Sequence, residues 1–200
     1  MTTAFDPNSI SPEEALRLLW LMKLNEDFPF FADQVLQIQT MEGERQKLTF
    51  NEPQQILHEI VEKHIAPKRL VRIIALKARR MGFSTYFSAR FYWKTSRKHN
   101  RYTAQITHEP EATDTLFKMV KRFYNFSPPD TRPEIKQNNA KLLEFNTKDG
   151  QGLDSAFRVS TADKPDFGSG QLVHYLHLSE VSKWNSGTAS SLLTSVLQCV

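Results

Sequence analysis

The chain has 200 residues, of which 40% are hydrophobic and 24% are charged. That balance is typical of a folded globular protein and excludes an intrinsically disordered one. The formal net charge of +4 is compatible with a polyanionic partner but is too small to require one. Cys199 is the sole cysteine, which excludes an internal disulfide and a cysteine-based zinc site and favours a reducing, intracellular setting.

The sequence also predicts a protein that does not enter a membrane. No apolar stretch is long enough to span a bilayer. Residues 1–11 lack the basic region and apolar core of a signal peptide. We therefore expect a cytosolic protein with no membrane partner.

Two helices are predicted in the first third of the chain. Ser11, Pro12 and Glu14 match an N-cap, a first-turn proline and a capping box. An aromatic-rich turn and a short strand follow over residues 27–40, and a second helix is expected from Pro53. Each helix is expected to have an apolar face, formed by Leu16, Leu18, Leu19 and Met22 in the first and by Ile56, Leu57, Ile60, Val61 and Ile65 in the second.

The rest of the chain alternates strand and helix patterns. The apolar run from Arg72 to Leu76 is typical of a central parallel strand. Further strands are predicted over 101–108, 140–147, 156–162 and 171–180, and helices over 84–98, 110–126 and 186–200. This alternation predicts an α/β fold with a mostly parallel central sheet flanked by helices. Ligands of such sheets bind at the carboxyl ends of strands, so loop 77–85 and the pair 179–180 are expected at one site.

The loop from Lys77 to Thr85, with the sequence KARRMGFST, has features of a phosphate-binding loop. Gly82 allows a tight turn, and Ser84 or Thr85 begins the following helix, where a hydroxyl can ligate Mg²⁺. The usual pattern G-x-x-x-x-G-K-[ST] is broken, because its first glycine is missing and Phe83 replaces its lysine. A triphosphate still requires a cation, for which the loop offers Lys77, Arg79 and Arg80. The alternative is a basic surface loop with Phe83 in the core.

A carboxylate follows the last predicted strand. ATPases use a carboxylate at such a strand end to polarise the attacking water, usually behind an aspartate that holds Mg²⁺ through water. Here Glu180 supplies the carboxylate and Ser179 occupies the aspartate position. A serine hydroxyl can hydrogen-bond to a magnesium-bound water but brings no charge. The alternative is an ordinary strand that ends in a surface acid.

Together these segments resemble the ATPase domain of the large terminase subunit of tailed bacteriophages, over about residues 28–184. The resemblance implies a P-loop NTPase of the ASCE type, with an ATPase core over 50–200 and an N-terminal segment, 1–49, packed on it. The loop looks like the deviant Walker A of this family, in which the lysine moves to the first loop position, here Lys77. The nucleotide-binding residues implied are Lys77, Arg79, Arg80, Met81, Gly82, Phe83, Ser84 and Thr85.

Two further motifs carry the resemblance. LHLSEVSKW is similar to the Walker B segment of the same branch, which makes Glu180 the catalytic carboxylate. The Mg²⁺ contacts implied are Ser84 and, through water, Ser179. FNEPQQILHEI resembles an adenine-binding glutamine motif, in which Gln54 is the first candidate by spacing and Gln55 the second, because a planar amide can pair with adenine.

The function implied is that of a motor that couples hydrolysis of Mg-ATP to translocation of double-stranded DNA into a procapsid, in the host cytoplasm. Its expected partners are the portal protein, the small terminase subunit and further copies in a ring. The chain departs from the family pattern at Gly168-Ser169-Gly170, where relatives often carry Gly-Arg-Gly, so no arginine finger is assigned. The chain also ends within a predicted helix, and the coupling motif and nuclease domain are expected beyond Val200, so no nuclease metal cluster is assigned either.

Three other functions fit parts of the sequence. A helicase-like or other DNA-translocating ATPase would share the glutamine, the loop and the carboxylate. A small-molecule kinase would share the loop, but the chain has no acceptor-site motif. A non-catalytic nucleic-acid-binding or assembly fragment would use the basic helix residues, which are Arg90, Lys94, Arg97, Lys98, Lys118, Lys121 and Arg122.

Overall fold

A computed structural model of the chain describes residues 10–40, 42–67, 70–163 and 172–198. The helices in these ranges are α1 (Pro12–Glu26), α2 (Phe28–Val35), α3 (Glu52–Ile65), α4 (Phe83–Arg97), α5 (Pro110–Phe126) and α6 (Ser186–Leu197). The strands are β1 (Gln37–Gln39), β2 (Arg45–Lys47), β3 (Tyr102–Thr107), β4 (Gln137–Asn138), β5 (Leu142–Phe145), β6 (Ser155–Thr161) and β7 (Tyr175–Leu178). No helix in the described ranges is long and apolar enough to cross a bilayer.

The main sheet has the strand order β4-β5-β6-β3-β7. β3 lies parallel to both β6 and β7, whereas β5 is antiparallel to both β4 and β6. The predicted α/β class is confirmed, but the prediction of a mostly parallel sheet is wrong, because the sheet is mixed. The reason is local: β5 ends at Phe145 and β6 begins at Ser155, and parallel neighbours need a crossover connection of about a dozen or more residues. β1 and β2 form a separate antiparallel ribbon.

The larger core covers one face of the sheet and is built around α4. Tyr92 of α4 contacts Phe123 of α5 and Phe145 of β5, with ring centroids 5.8 and 6.0 Å apart. The N-terminal helices join the same core, because Phe28 stacks on Trp93 at 5.3 Å. α2 and the end of α1 are therefore packed directly on α4.

A smaller core covers the opposite face. Leu192 and Val196 of α6 are fully buried against Ala104 and Ile106 of β3. Adjacent residues of a strand point to opposite faces, and Gln105 accordingly contacts Ser88 of α4 on the first face. α4 and α5 thus lie on one side of the sheet and α6 on the other.

Both capping boxes follow from the sequence, but the apolar helix faces are not all buried. Ser11 and Glu14 form the predicted capping box of α1, and Asn51 forms another with Gln54 at the start of α3. In α3, Leu57 and Val61 are buried. The other predicted apolar residues of the two helices are exposed, namely Leu16, Leu18, Leu19, Met22, Ile56, Ile60 and Ile65.

The predicted central strand from Arg72 to Leu76 is wrong for this chain. Residues 71–78 have no regular secondary structure, and the described chain forms no strand ladder with them. Ile74 and Leu76 are 95% and 98% exposed, the opposite of a central strand. The apolar run is present in the sequence, but it pairs with no strand in the part of the chain that the structure describes. The other predicted helices and strands of residues 84–198 are found within a few residues of their expected bounds.

We predict that Trp93→Phe lowers the free energy of unfolding by about 1–3 kcal/mol, because the buried Leu24 carbonyl loses its partner. The indole Nε1 donates to that carbonyl at 2.7 Å and joins α4 to the end of α1. Urea denaturation followed by circular dichroism measures the change. The control is Trp20→Phe, at a half-buried ring that packs against the same core. Equal losses in both variants would mean that packing, and not the hydrogen bond, accounts for the effect.

Candidate functional site

The ends of β3 and β7 lie side by side because the two strands are parallel and in register. Ile106 is opposite Leu178, and the amide of Ser179 donates to the Ile106 carbonyl at 2.8 Å. His108, the first residue after β3, and Glu180, the second residue after β7, therefore meet at the carboxyl end of these strands. Glu180 has a left-handed backbone with φ of 54°. Such a conformation in a residue other than glycine is uncommon and clusters at functional sites.

Glu180 lies against the side chains of Lys183 and His108. Its Oε2 accepts a hydrogen bond from the Lys183 Nζ at 2.6 Å and lies 3.3 Å from the His108 Nδ1. The hydrogen bond from Lys183 lowers the pKa of Glu180 below its ordinary value, and the charges of Lys183, His108 and Arg79 add to that shift. The carboxylate is thus ionised near neutral pH and fixed through one oxygen.

His108 joins this site, although the sequence favoured a merely local role for it. Its side chain is 14% exposed, and its Nε2 lies 3.0 Å from the Glu109 Oε1. Its Nδ1 faces Glu180 without meeting the geometry of a hydrogen bond. Both ring nitrogens therefore face carboxylates. The signal for His108 is its place at the end of the strand next to β7, which requires the strand order.

The N terminus of α4 has no side-chain cap. Gly82 is the N-cap residue, with φ of 74°, and no side chain caps the helix. The first-turn amides of Phe83, Ser84 and Thr85 therefore have no capping side chain as acceptor, and they lie at the positive end of the helix dipole. Phe83 is half-buried against the larger core. It is thus a packing residue, which the alternative of a basic surface loop with Phe83 in the core also expected.

Gln54 contacts the loop directly. Its side chain is 4% exposed, its Oε1 accepts from the Asn51 amide at 3.1 Å, and its Nε2 donates to the Gly82 carbonyl at 2.9 Å. An adenine base would have to displace these two hydrogen bonds to reach the amide. Gln55 is exposed, and its Nε2 donates to the Phe50 carbonyl at 3.1 Å. The structure therefore joins Gln54 to the loop as a support, while its role towards adenine stays a prediction.

The loop that precedes α4 carries three basic residues. Lys77, Arg79 and Arg80 are exposed, Met81 is half-buried, and Arg80 has a left-handed backbone with φ of 62°. α4 runs antiparallel to β3, with Thr95 beside Thr103 and Ser88 beside Gln105, so the loop lies at the carboxyl end of β3. The direction of α4 therefore supports the predicted meeting of the two sequence segments at one end of the sheet.

A buried polar network connects α4, β3 and β7 below the loop. The Gln105 Nε2 lies 2.9 Å from both the Ser88 Oγ and the His177 Nδ1. Burial lowers the pKa of His177 to about 4, and the charge of Lys77 adds to the shift. His177 is thus neutral near pH 7 and accepts through Nδ1, which leaves its proton on Nε2. The network fixes the position of α4, which follows the loop, relative to β7, which leads to Glu180.

The described residues contain no group of three His, Cys, Asp or Glu side chains that could hold a metal ion by themselves. The predicted Mg²⁺ contacts are hydroxyls. Ser84 and Ser179 are both half-buried, one in the first turn of α4 and one at the end of β7. A Mg²⁺ ion at a phosphate-binding loop takes part of its coordination from the nucleotide phosphates and from water. The hydroxyls fit that kind of site, in which the ion arrives with its nucleotide.

Most of the basic helix residues are engaged within the protein. Arg90 is buried and forms an ion pair with Glu62 at 2.7 Å. Lys94 lies over the Trp93 ring at 3.8 Å, in a groove of about 880 Å³ between α1, α3 and α4. The remaining contacts are Arg97 with Asn25, Lys121 with the Phe117 ring and Arg122 with Gln39. Lys98 and Lys118 are exposed. These seven residues therefore do not form one open basic face.

Comparisons with known proteins give no assignment. No protein-family model matches the chain, and no curated protein is significantly similar to it. The segment Gly168-Ser169-Gly170 lies outside the described residues. The case for a function therefore depends on the geometry of the loop and of Glu180.

We predict that Gly82→Ala costs about 1 kcal/mol more stability than Gly150→Ala. Both glycines have a left-handed backbone, with φ of 74° and 81°, so both variants bear the steric cost of a side chain there. A Cβ at Gly82 would also lie 2.6 Å from the Gln54 Nε2, whereas nothing lies within 4 Å at Gly150. Gln54 would then have to leave its hydrogen bond. Urea denaturation of the two variants gives the difference, and equal costs would contradict the role of Gln54 as a support.

We predict that Lys183→Met raises the pKa of Glu180 towards its ordinary value of 4.5. The folded-state pKa is depressed, so the ion pair stabilises the fold at pH values above the ordinary one. That contribution is lost as the pH falls through the folded-state value. A carbon-13 NMR titration of the Glu180 carboxyl measures the shift directly, with Lys148→Met in the turn between β5 and β6 as the control. An unchanged titration in Lys183→Met would show that the contact is not formed in solution.

Proposed function

We propose that the chain is the ATPase domain of a DNA-packaging motor of the large terminase type. The observation that carries the proposal is the convergence of two distant segments. α4 runs antiparallel to β3, with Thr95 beside Thr103 and Ser88 beside Gln105, so its uncapped N terminus lies at the same end of the sheet as Glu180. Phosphate-binding amides beside a fixed carboxylate are the two parts that hydrolysis of a nucleoside triphosphate needs.

The proposed binding step uses the backbone and cations of the loop. The amides of the first turn of α4 donate to the phosphate oxygens, and the left-handed Gly82 keeps side-chain atoms away from them. Lys77 at the start of the loop, with Arg79 and Arg80 beside it, neutralises the phosphate charge. Ser84 and Thr85 present hydroxyls where Mg²⁺ would be bound, and that ion would supply Lewis-acid stabilisation of the phosphates.

The proposed hydrolytic step uses Glu180. Its Oε2 is engaged by Lys183 and His108, so its Oε1 is the atom left to accept a proton from water. The oxygen of that water attacks the γ-phosphorus, the bond to the bridging oxygen breaks, and ADP leaves with the electron pair. The lowered pKa keeps Glu180 ionised, and the contacts of its Oε2 orient the carboxylate. A carboxylate that positions water need not be a strong base.

The assignment to packaging of double-stranded DNA goes further than ATP hydrolysis and is supported by the sequence resemblance. The relocated lysine at Lys77 and the Ser179-Glu180 pair are the features that favour it over a helicase-like translocase. The proposed partners are double-stranded DNA, the portal protein, the small terminase subunit and further copies of the chain in a ring.

We predict that Lys77→Ala weakens Mg²⁺-dependent binding of a fluorescent ATP analogue at least roughly tenfold, equivalent to about 1.4 kcal/mol. The physical reason is the loss of the cation at the start of the loop. The matched control is Lys148→Ala, because Lys148 is an exposed lysine in the distant turn between β5 and β6. Equal binding by the parent chain and by Lys77→Ala would rule out Lys77 as the phosphate lysine. Absence of binding in the parent would contradict the proposed ATPase function of this chain.

Two further variants in the same assay separate binding from hydrolysis. Glu180→Gln should bind the analogue as the parent does but lose turnover, because the amide keeps the shape and cannot take the proton. Phe83→Lys should not rescue Lys77→Ala, since residue 83 packs against the core. Rescue would show that the loop can use the ordinary lysine position.

A further inference from the structure

A groove of about 880 Å³ lies between α1, α3 and α4. Small-molecule sites have volumes of about 300–1,000 Å³ and combine apolar walls with a few polar groups. Leu19 and Met22 of α1 and Ile65 of α3 form apolar walls of the groove, and the buried Trp93 of α4 lies in its floor. The three wall residues are 61%, 55% and 38% exposed, so their apolar surface is open to a ligand.

Most charged groups of the groove already have partners within the protein. The buried Arg90 guanidinium forms an ion pair with Glu62 at 2.7 Å and donates to the Tyr86 hydroxyl at 3.3 Å. The Asp27 carboxylate accepts from the Phe30 amide at 2.8 Å as the cap of α2. A ligand would have to break these contacts to use the same groups, which makes them poor anchors.

Lys94 is the cation of the groove floor that lacks such a partner. Its Nζ lies 3.8 Å from the centroid of the Trp93 ring, and within the described ranges it forms no ion pair. Burial lowers the pKa of Lys94 to about 8, and the charges of Lys98 and Arg90 add to that shift. The charge of Glu62 opposes the shift, but that carboxylate is already paired with Arg90. An anion in the groove would therefore supply the counter-charge that the ammonium group lacks.

The acidic residues around the groove limit the charge of such an anion. Glu26 and Asp27, at the junction of α1 and α2, and Glu62 of α3 line the groove. Three carboxylates repel a ligand that carries several negative charges, such as a triphosphate or the backbone of a nucleic acid. A ligand with a single negative charge can pair with Lys94 at a smaller electrostatic cost.

We propose that this groove binds a small carboxylate with an apolar body. The carboxylate pairs with the Lys94 ammonium group, and the body packs between Leu19, Met22 and Ile65. Because an α-helix rises about 1.5 Å per residue, Lys94 lies roughly 16 Å along α4 from Phe83, which begins the helix. The groove is therefore separate from the loop, and the proposal stands whether or not the chain hydrolyses ATP.

The test compares octanoate with 1-octanol, which has a chain of the same length but no charge. NMR titrations of the nitrogen-15-labelled protein, followed at the Trp93 indole N–H, give the two dissociation constants. Lys94→Met keeps most of the side-chain stem but removes the charge. It should weaken octanoate binding at least about tenfold and change 1-octanol binding less than about twofold. Lys118→Met, at an exposed lysine of α5, is the control and should change neither.

Two results of these titrations would overturn the proposal. If the parent chain does not bind octanoate below its micellar range, the groove is not a site for this class of ligand. If Lys94→Met leaves octanoate binding unchanged, or weakens the binding of both ligands equally, Lys94 does not anchor the carboxylate.

A matched pair of leucines on α1 tests the apolar wall. Leu19 lines the groove, whereas Leu16 lies outside it at a similar exposure of 67%. Leu19→Gln should weaken octanoate binding at least about threefold, because it removes apolar surface that the ligand covers. Leu16→Gln should have no effect. Equal losses in the two variants would mean that octanoate adheres to apolar surface in general, which contradicts a defined site.

The titration of Lys94 gives a readout that does not depend on affinity. Pairing with a carboxylate favours the charged amine, so saturating octanoate should raise the pKa of Lys94 from about 8 towards its ordinary value of 10.5. A carbon-13 NMR titration of labelled lysine ε-carbons measures this change, with 1-octanol as the control ligand. The same titration curve with and without octanoate would show that the carboxylate does not reach Lys94, and would overturn the proposal.

Discussion

The parallel pairing of β3 with β7 is the contact on which the candidate site depends. Main-chain hydrogen bonds fix the register so that Ile106 lies opposite Leu178. This register brings His108, the first residue after β3, next to Glu180, the second residue after β7. A shift of the register by one residue would turn every side chain of β7 to the other face and separate the two groups.

The polar network of Ser88, Gln105 and His177 stabilises the register of β3 with β7. Each of the three side chains comes from a different element, and each satisfies a neighbour that would otherwise be buried without a partner. A slipped arrangement would leave these groups unsatisfied, so the network disfavours it. The helix that begins at the loop and the strand that ends at Glu180 are thereby held in a single relative position.

Local patterns in the sequence predicted most of the elements, because capping boxes and period-two strands are encoded within a few residues. Ser11 with Glu14 and the run 110–126 are examples in which the local signal was sufficient. The prediction of a strand at Arg72–Leu76 was wrong because a strand forms only when a second strand pairs with it, and pairing is not a local property of the sequence. His108 was undervalued for a related reason, since its importance arises from the strand order. Gln54 was noticed for its amide, but its contact with Gly82, 28 residues away, requires the packing of α3 against the loop.

The left-handed backbone of Glu180 sets the proposed role of its carboxylate against the stability of the fold. Glycine adopts this conformation without steric cost, and asparagine tolerates it better than most residues, whereas a glutamate there is strained by about 1 kcal/mol or more. A related protein that kept the fold but no longer needed the carboxylate would therefore gain stability from a substitution of this glutamate by glycine or asparagine. The residue found at position 180 in related chains would then report whether each of them still depends on the site.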